Sequence, residues 1–378
     1  MSWHGIRTVA ALELRQRVRT SKWPVVLGIW VAVIALVAFL AYYATNDEQL
    51  RSGEAMYDVV VFFVLGLAML IVPSLTATSV NGDREHGVLA TLQTTLLTHW
   101  DIVLGKLVAA WVLAMAFLVS ALPFMAWAFF EGGVSFGRIL LSLLVLVLVL
   151  AVICTVGLMF STLTARPIAS AVLTYLTMGA LVFGTTIGFA LSAFLVTEKE
   201  QQTVFGIPDN WYDTHQPPDI DPSDPTLTQE QIDQLMKAGQ PTHADCTTFT
   251  RTTDVAHTER IWWMLPLNPF VVVADAAPSK PRPKQRNEVS TAGFTPMRWI
   301  SGGVRLARNG PGGVSDECWV DDAGSSNDQD PIEKALQTAP VWPYGLAFLL
   351  LAGGGAATVA GRRLRTPIRR LPNGTRIA

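Results

Sequence analysis

Residues 139–163 read ILLSLLVLVLVLAVICTVGLMFSTL, twenty-five positions without an acidic or basic side chain. Their valines and isoleucines would favour a strand in water. A block this long and this apolar matches the hydrocarbon core of a bilayer, which about twenty helical residues cross. In lipid a lone strand leaves its backbone groups unpaired, so the block reads as a helix. Five more blocks of this kind are present: Pro24–Ala44, Tyr57–Val80, Ile102–Phe130, Ile168–Val196 and Pro340–Ala360. Half of the 378 residues are hydrophobic and 15% are charged, which sets the chain apart from soluble domains. The expectation is an all-α polytopic membrane protein with six transmembrane helices. Pro123 is expected to break or bend the third span. Glu131-Gly132-Gly133 and Thr164–Pro167 read as tight turns between spans.

The first apolar block begins only at Pro24 and is followed by no small-residue cleavage site, so it reads as a span rather than a secretory signal. Trp23 and Trp30 near one end and Tyr42 and Tyr43 at the other fit an aromatic belt. Before it, residues 2–22 form a candidate amphipathic surface helix. Trp3, Ile6, Val9, Ala10 and Leu14 share one face, and Arg7, Arg15, Arg17, Arg19 and Lys22 supply the other. A solvated basic tail that only signals topology is the competing reading.

Three units follow: residues 1–196, with five spans, the surface helix and a polar interruption at 81–106; an insert at 197–339; and 340–378, with the sixth span and a basic tail. The insert is rich in proline, aspartate, threonine and glycine. Thr228 and Gln231 suggest a capped helix over 226–239. Residues 278–330 read as turn-rich and loosely ordered. The apolar patch Ile261–Ala277 is short for a span and contains Pro266, Asn268, Pro269 and Asp275. It reads as a re-entrant or interfacial segment, with a seventh span as the lesser reading.

Arginine and lysine crowd residues 7–22 and 362–376. Both ends are therefore expected on the cytoplasmic side of the cell membrane, with the insert outside. The basic run Lys280, Arg282, Lys284 and Arg286 argues against this only weakly, because long loops cross largely regardless of charge. Of the three cysteines, Cys154 lies in mid-span and reads as packing, whereas Cys246 and Cys318 share the insert, where an oxidising compartment permits a disulfide. Whether they meet is left open by the sequence. Glycines 353–355 fit either a close helix contact at a dimer seam or a flexible stretch near a span end.

The chemistry is defined mostly by what is missing. The spans carry no acidic or basic residue in their interiors, as an ion-coupled carrier would need. No phosphate-binding loop is present, since Gly105-Lys106 is followed by Leu107. No second histidine stands at HExxH spacing from His86, and His243, Asp245, Cys246 and His257 match no zinc pattern. No catalytic residue, bound cofactor or metal is assigned, and a net charge of −2 without basic–aromatic interleaving gives no reason to expect nucleic acid.

The polar interruption is the most patterned part of the chain. In DREHGVLATLQTTLLTHWDIVLGK (83–106), charges stand at both ends, and Val88, Leu89, Leu92 and Leu96 recur at helical spacing. It reads as an amphipathic helical hairpin at a membrane surface. Its Asp83-Arg84-Glu85-His86-Gly87-Val88-Leu89 opening, the Thr94-Thr95-Leu96-Leu97 turn and Ile102-Val103-Leu104-Gly105-Lys106 resemble the signature region of the ABC-2 type transporter permeases. LNPFVVVADA (267–276) resembles outer-side segments of some actinobacterial members.

The resemblance implies the transmembrane subunit of an ATP-binding cassette exporter, not itself an enzyme. It implies a partner ABC ATP-binding subunit that carries ATP and magnesium, a second permease copy or paralogue, and a lipid surround. The helix over 81–101 becomes a coupling helix, in which Asp83, Arg84, Glu85, His86, Gly87, Leu89 and Leu92 would meet the ATPase. Two other classes stay in view: a membrane-anchored extracytoplasmic sensor or binding protein working through its insert, and a membrane enzyme using His243 and His257. The patterned hairpin disfavours the first, and the insert has no recognisable nucleophile–base pair to support the second.

Overall fold

A computed structural model of the chain describes residues 2–20, 22–44, 52–85, 97–214, 241–278, 295–312, 314–318 and 331–365. Among them, six helices are long and apolar enough to cross a membrane. The bundle consists of α2 (Lys22–Ala44), α3 (Ser52–Thr76) continued by α4 (Ser79–Glu85), α5 (His99–Phe130), α6 (Phe136–Leu163), the pair α7 (Pro167–Gly179) and α8 (Thr185–Leu195), and α12 (Trp342–Arg363). α1 (Trp3–Val18) precedes them. The expected helix over 226–239 lies outside the described residues, as do the basic run at 280–286 and most of the C-terminal basic tail.

α3 occupies the centre. Its Met56, Tyr57, Val60, Val64, Leu65 and Val72 are buried in one cluster with residues of α2, α5 and α6. Small residues allow the close approaches. A Cβ on Gly53 would sit 2.3 Å from the carbonyl oxygens of Ala128 and Gly132, so α3 starts directly against the end of α5. At the other end of the bundle a Cβ on Gly157 of α6 would lie 2.0 Å from Thr76 Oγ1. The turn after α5 uses Gly132 and Gly133 at φ 91° and 88°, where a side chain would be strained. α5 runs on through Pro123 without a break. In the fifth span the helix instead widens into a π turn at Ala180–Gly184, which hydrophobicity does not reveal.

Ile261–Ala277 is not a seventh span. A 3₁₀ turn, Trp262–Leu267, leads into α9 (Pro269–Ala276), and the segment returns on the side it came from. Asn268 donates to the Val182 carbonyl at 3.0 Å, beside the π turn of span five, and Phe270 stacks on Phe62 of α3 at 5.1 Å. The segment therefore reaches into the bundle with its backbone covered by protein, the condition under which irregular structure is tolerated at membrane depth.

The insert also contains a three-stranded sheet of order β2-β1-β3: β1 (Thr197–Gly206), β2 (Thr247–Ala256) and β3 (Val314–Asp316). β1 pairs antiparallel with β2 and parallel with β3. Cys246 and Cys318 are disulfide-bonded across 72 residues and join the start of β2 to the segment after β3. The outer strands are thus clamped around β1.

The expectation of loose order over residues 278–330 is corrected at 296–309. These residues form α10 (Pro296–Asn309), which packs between α9 and α11 (Pro331–Leu336). The physical reason is a buried carboxylate. Asp275 of α9 is fully buried; its Oδ1 accepts from Ser301 Oγ at 2.9 Å and Arg305 Nε at 2.6 Å. Its Oδ2 accepts from the Val341 and Trp342 backbone amides at 2.5 and 2.8 Å. One carboxylate thereby fixes α10 and caps the start of the last span, where a negative charge meets the positive helix end.

Ionisable residues are, however, buried near the ends of the spans. Asp58 of α3 and Arg138 of α6 are buried and paired, with Glu54 on the same guanidinium at 3.1 Å. Arg138 Nε also donates to the Ala277 carbonyl at 2.7 Å and the group stacks over Tyr57. Lys106 of α5 is buried as well. Each lies within two turns of a helix end and meets a counter-ion from a neighbouring helix, which hydropathy averaged over a span conceals. Glycines 353–355 divide: Gly353 meets Val152 of α6 in the same chain, whereas Gly354 and Gly355 face open space.

Because Asp275 collects donors from α10 and from the start of α12, Asp275→Ala should leave Arg305 buried without its counter-charge. A loss of about 3–5 kcal/mol is expected. Thermal unfolding of the detergent-solubilised chain should show a large fall in midpoint, and an unchanged midpoint would refute this role.

Candidate functional site: the junction of the first helix with spans two and three

α1 starts at Ser2, whose hydroxyl accepts from the Gly5 amide at 3.0 Å. Its Gly5, Ile6, Val9 and Ala10 are buried. The helix lies against the opening turns of α5, where a Cβ on Gly105 would meet Val9 at 2.6 Å. Only glycine at position 105 lets the two axes come this close. Trp3, placed by the sequence on the face of Ile6 and Val9, is exposed.

α5 is opened by a capping box. Thr98 Oγ1 accepts from the Asp101 amide, and Asp101 Oδ2 accepts from the Thr98 amide at 3.0 Å. The other oxygen of Asp101 takes the Ser2 amide at 2.9 Å, so one carboxylate ties the starts of two helices together.

One turn further on stands Lys106, 1% exposed. Its Nζ meets Asp83 Oδ2 at 2.6 Å, Glu13 Oε2 at 2.9 Å and the Ser79 carbonyl at 3.0 Å. The three donors of the ammonium are thus used by α4, α1 and the start of α4 again. Glu13 Oε1 is held in turn by Arg17 Nη2 at 2.7 Å, and Arg17 reaches the Leu75 carbonyl near the end of α3. Burial would raise the Glu13 carboxyl, but the charges of Lys106 and Arg17 more than reverse this, and its pKa lies below the ordinary 4.5.

α4 is also tied to α6. Ser161 Oγ accepts from the Val80 and Asn81 amides at 2.9 and 3.2 Å. With its amide nitrogen turned toward α6, Asn81 donates to the Ser161 and Thr164 carbonyls at 2.8 and 2.6 Å. A small apolar cluster, Val80, Ile102, Val103, Leu158, Ala360 and Leu364, lies behind these bonds. Gly361 of α12 packs against Trp100. α1, α4 and the last turn of α12 therefore gather at one end of the bundle, opposite the sheet.

Of the residues expected in a coupling helix, Asp83, Arg84 and Glu85 are described. Asp83 is turned inward onto Lys106, so its main contact is within the chain. Arg84 is half-buried and Glu85 is exposed at the last turn of α4; among the described residues neither forms an ion pair. His86, Gly87, Leu89 and Leu92 lie outside the described residues. Sequence reasoning missed Glu13 as a partner of Lys106. The signal was available: it is the one acid in an otherwise basic stretch at 2–22. In the insert, Cys246 is taken by the disulfide and Asp245 holds Thr242.

Glu13 is held below its ordinary pKa, so its contribution to stability is fully present above about pH 4.5 and is lost as pH falls through the folded value. Glu13→Gln should therefore lower stability at pH 7 by about 2 kcal/mol. The gap between variant and parent should close on acidification. Thermal midpoints of both proteins across a pH series read this, and a constant gap would show that charge plays no part.

A comparison with curated proteins finds no match. The family described as "ABC-2 family transporter protein" matches residues 7–255, from α1 through five spans to the end of β2. This match takes in the junction around Lys106 and well over half of the sequence. The chain therefore belongs to the ABC-2 transporter family, as a multi-pass transport protein of the membrane.

Proposed function

We propose that the chain is the permease subunit of an ATP-driven exporter, forming the translocation path while a separate ATP-binding subunit hydrolyses ATP. The observation that carries this reading is the convergence of α1, α4 and α5 on buried Lys106. A force applied to the α4–α5 connection would reach spans two and three through that charge. It would reach the first helix through Glu13 and the fourth span through Ser161. Such a junction suits a transmission point, where a partner that changes shape with bound ATP must favour one arrangement of the spans over another. Arg84 and Glu85 are the described residues offered to that partner, with 86–96 completing the coupling segment; Asp83 holds the junction together.

In this reading the α1 end is cytoplasmic and the sheet end extracytoplasmic. The basic residues of α1 and of the end of α12 support the first assignment. The disulfide in the insert supports the second, since such bonds persist in oxidising compartments. The unit works as a dimer with a second copy or a paralogue. An apolar crevice of about 230 Å³ between α6, α7, α9 and α12, lined by Val152, Val156, Met178, Leu181, Pro269 and Leu349, favours a lipophilic cargo.

Co-purification tests the reading. The tagged chain is expressed with the ATPase encoded beside it, extracted in mild detergent, and compared with Glu85→Lys. Glu85 is exposed and outside the Lys106 cluster, so the charge reversal leaves the fold intact. The ATPase is expected with the parent chain and lost, or left unstimulated, with the variant. If no ATPase associates with either, the permease reading fails.

A further inference from the structure

At the join between the fifth span and the sheet, α8 ends at Leu195 and β1 begins at Thr197. β2 closes against it, with the His257 amide donating to the Val196 carbonyl at 3.0 Å. The register pairs Glu198 with Val255 and Glu200 with Thr253. Strand alternation then puts Glu198, Glu200, Val255 and His257 on one face. Glu200, Val255 and His257 open onto a cavity of about 370 Å³, lined also by Gln202, Glu259 and Asn309.

The chemistry of this face is that of a ligand set. His257 Nδ1 lies 2.7 Å from Glu259 Oε1. That bond places the ring proton on Nδ1 and leaves the Nε2 lone pair outward. His257 is 9% exposed, and its Nε2 is buried without a hydrogen-bond partner. Glu200 Oε1 lies 3.2 Å from Nε2 but out of hydrogen-bonding line. One oxygen from each of Glu198 and Glu200 and a nitrogen of His257 all lie within 4.8 Å of one another. Two ligands of a tetrahedral ion at about 2.0–2.1 Å stand roughly 3.3 Å apart. The Nε2–Oε1 separation is already that of two donors on one cation.

We infer that His257, Glu198 and Glu200 form a divalent transition-metal site on the insert, with zinc the best-suited ion. A nitrogen with two carboxylates selects zinc and its first-row neighbours over calcium or magnesium, which take oxygen donors. Glu259 orients the imidazole from behind, the usual partner of a metal-bound histidine. Arg260 Nη1 donates to Glu198 Oε1, leaving the second oxygen of that carboxylate for the ion. Glu259 also leans on Gly310, the residue that ends α10, where a Cβ would lie 2.5 Å from Oε2. The ion would staple the base of the sheet to span five and, through Glu259, to α10. The inference does not depend on the export reading.

The test uses the full chain in detergent with its tag removed and stripped with EDTA. One equivalent of Co²⁺ should give the visible bands of a low-coordinate site, and Zn²⁺ should abolish them while raising the thermal midpoint. Mg²⁺ and Ca²⁺ should do neither. His257→Gln and Glu200→Gln should remove the signal, and Glu259→Gln should weaken Zn²⁺ binding about 10–100-fold. His243→Gln should bind like the parent. Glu200 is exposed, so its variant should keep the parent midpoint in EDTA, which separates a lost site from a lost fold. Absence of a one-equivalent Co²⁺ signal in the parent would overturn the site, as would undiminished binding in His257→Gln or loss in His243→Gln.

Discussion

The Lys106 ammonium is buried at the end of a transmembrane helix, where a bare charge is untenable. It can stay only if oxygen atoms from other elements surround it. The chain provides Glu13 from the first helix, Asp83 from α4 and the Ser79 carbonyl. The same requirement thus fixes where α1 lies, how α4 continues the second span, and how far the third span can slide. Ion pairs of this kind add little net stability over apolar packing. Their consequence is geometric: helices that would otherwise slide along greasy faces are given a register.

The sheet end follows the same logic with buried charges of both signs. Asp275 is buried and negative, and it is answered by Arg305, a hydroxyl and the first amides of the last span. Arg138 is answered by Asp58 and Glu54. Between the two ends the bundle is apolar, and near each end a small residue, Gly53 or Gly157, lets the helices touch. Span five is the exception. Few of its side chains are buried, and the π turn at Ala180–Gly184 interrupts it where Asn268 bonds to it.

The spans were legible because hydrophobicity over about twenty residues is a local property. Their observed limits differ from the expected ones by a few residues, mostly where a charged residue such as Glu54 or Arg138 continues the helix beyond its apolar stretch. That Ile261–Ala277 is not a seventh span was legible for a similar reason, in two prolines, an asparagine and an aspartate within a short apolar patch. α10 was not. Its Arg298, Arg305 and Arg308 look like a solvated surface until Asp275 and Glu333 are seen beside them. The capping box at Thr98 and Asp101 went unread because the charges there were counted as the end of a loop.

By itself the sequence determined the class, the number of spans and the family, all of which rest on composition and local pattern. The tertiary structure decided which charges are partners. Glu13 and Lys106 are 93 residues apart, Glu54 and Arg138 are 84 apart, and Cys246 and Cys318 are 72 apart. Nothing local distinguishes a carboxylate that will face water from one that will be buried against a cation. That choice is made only when folding removes both from solvent, because only then does the cost of an unpaired charge exceed the cost of ordering the chain around it.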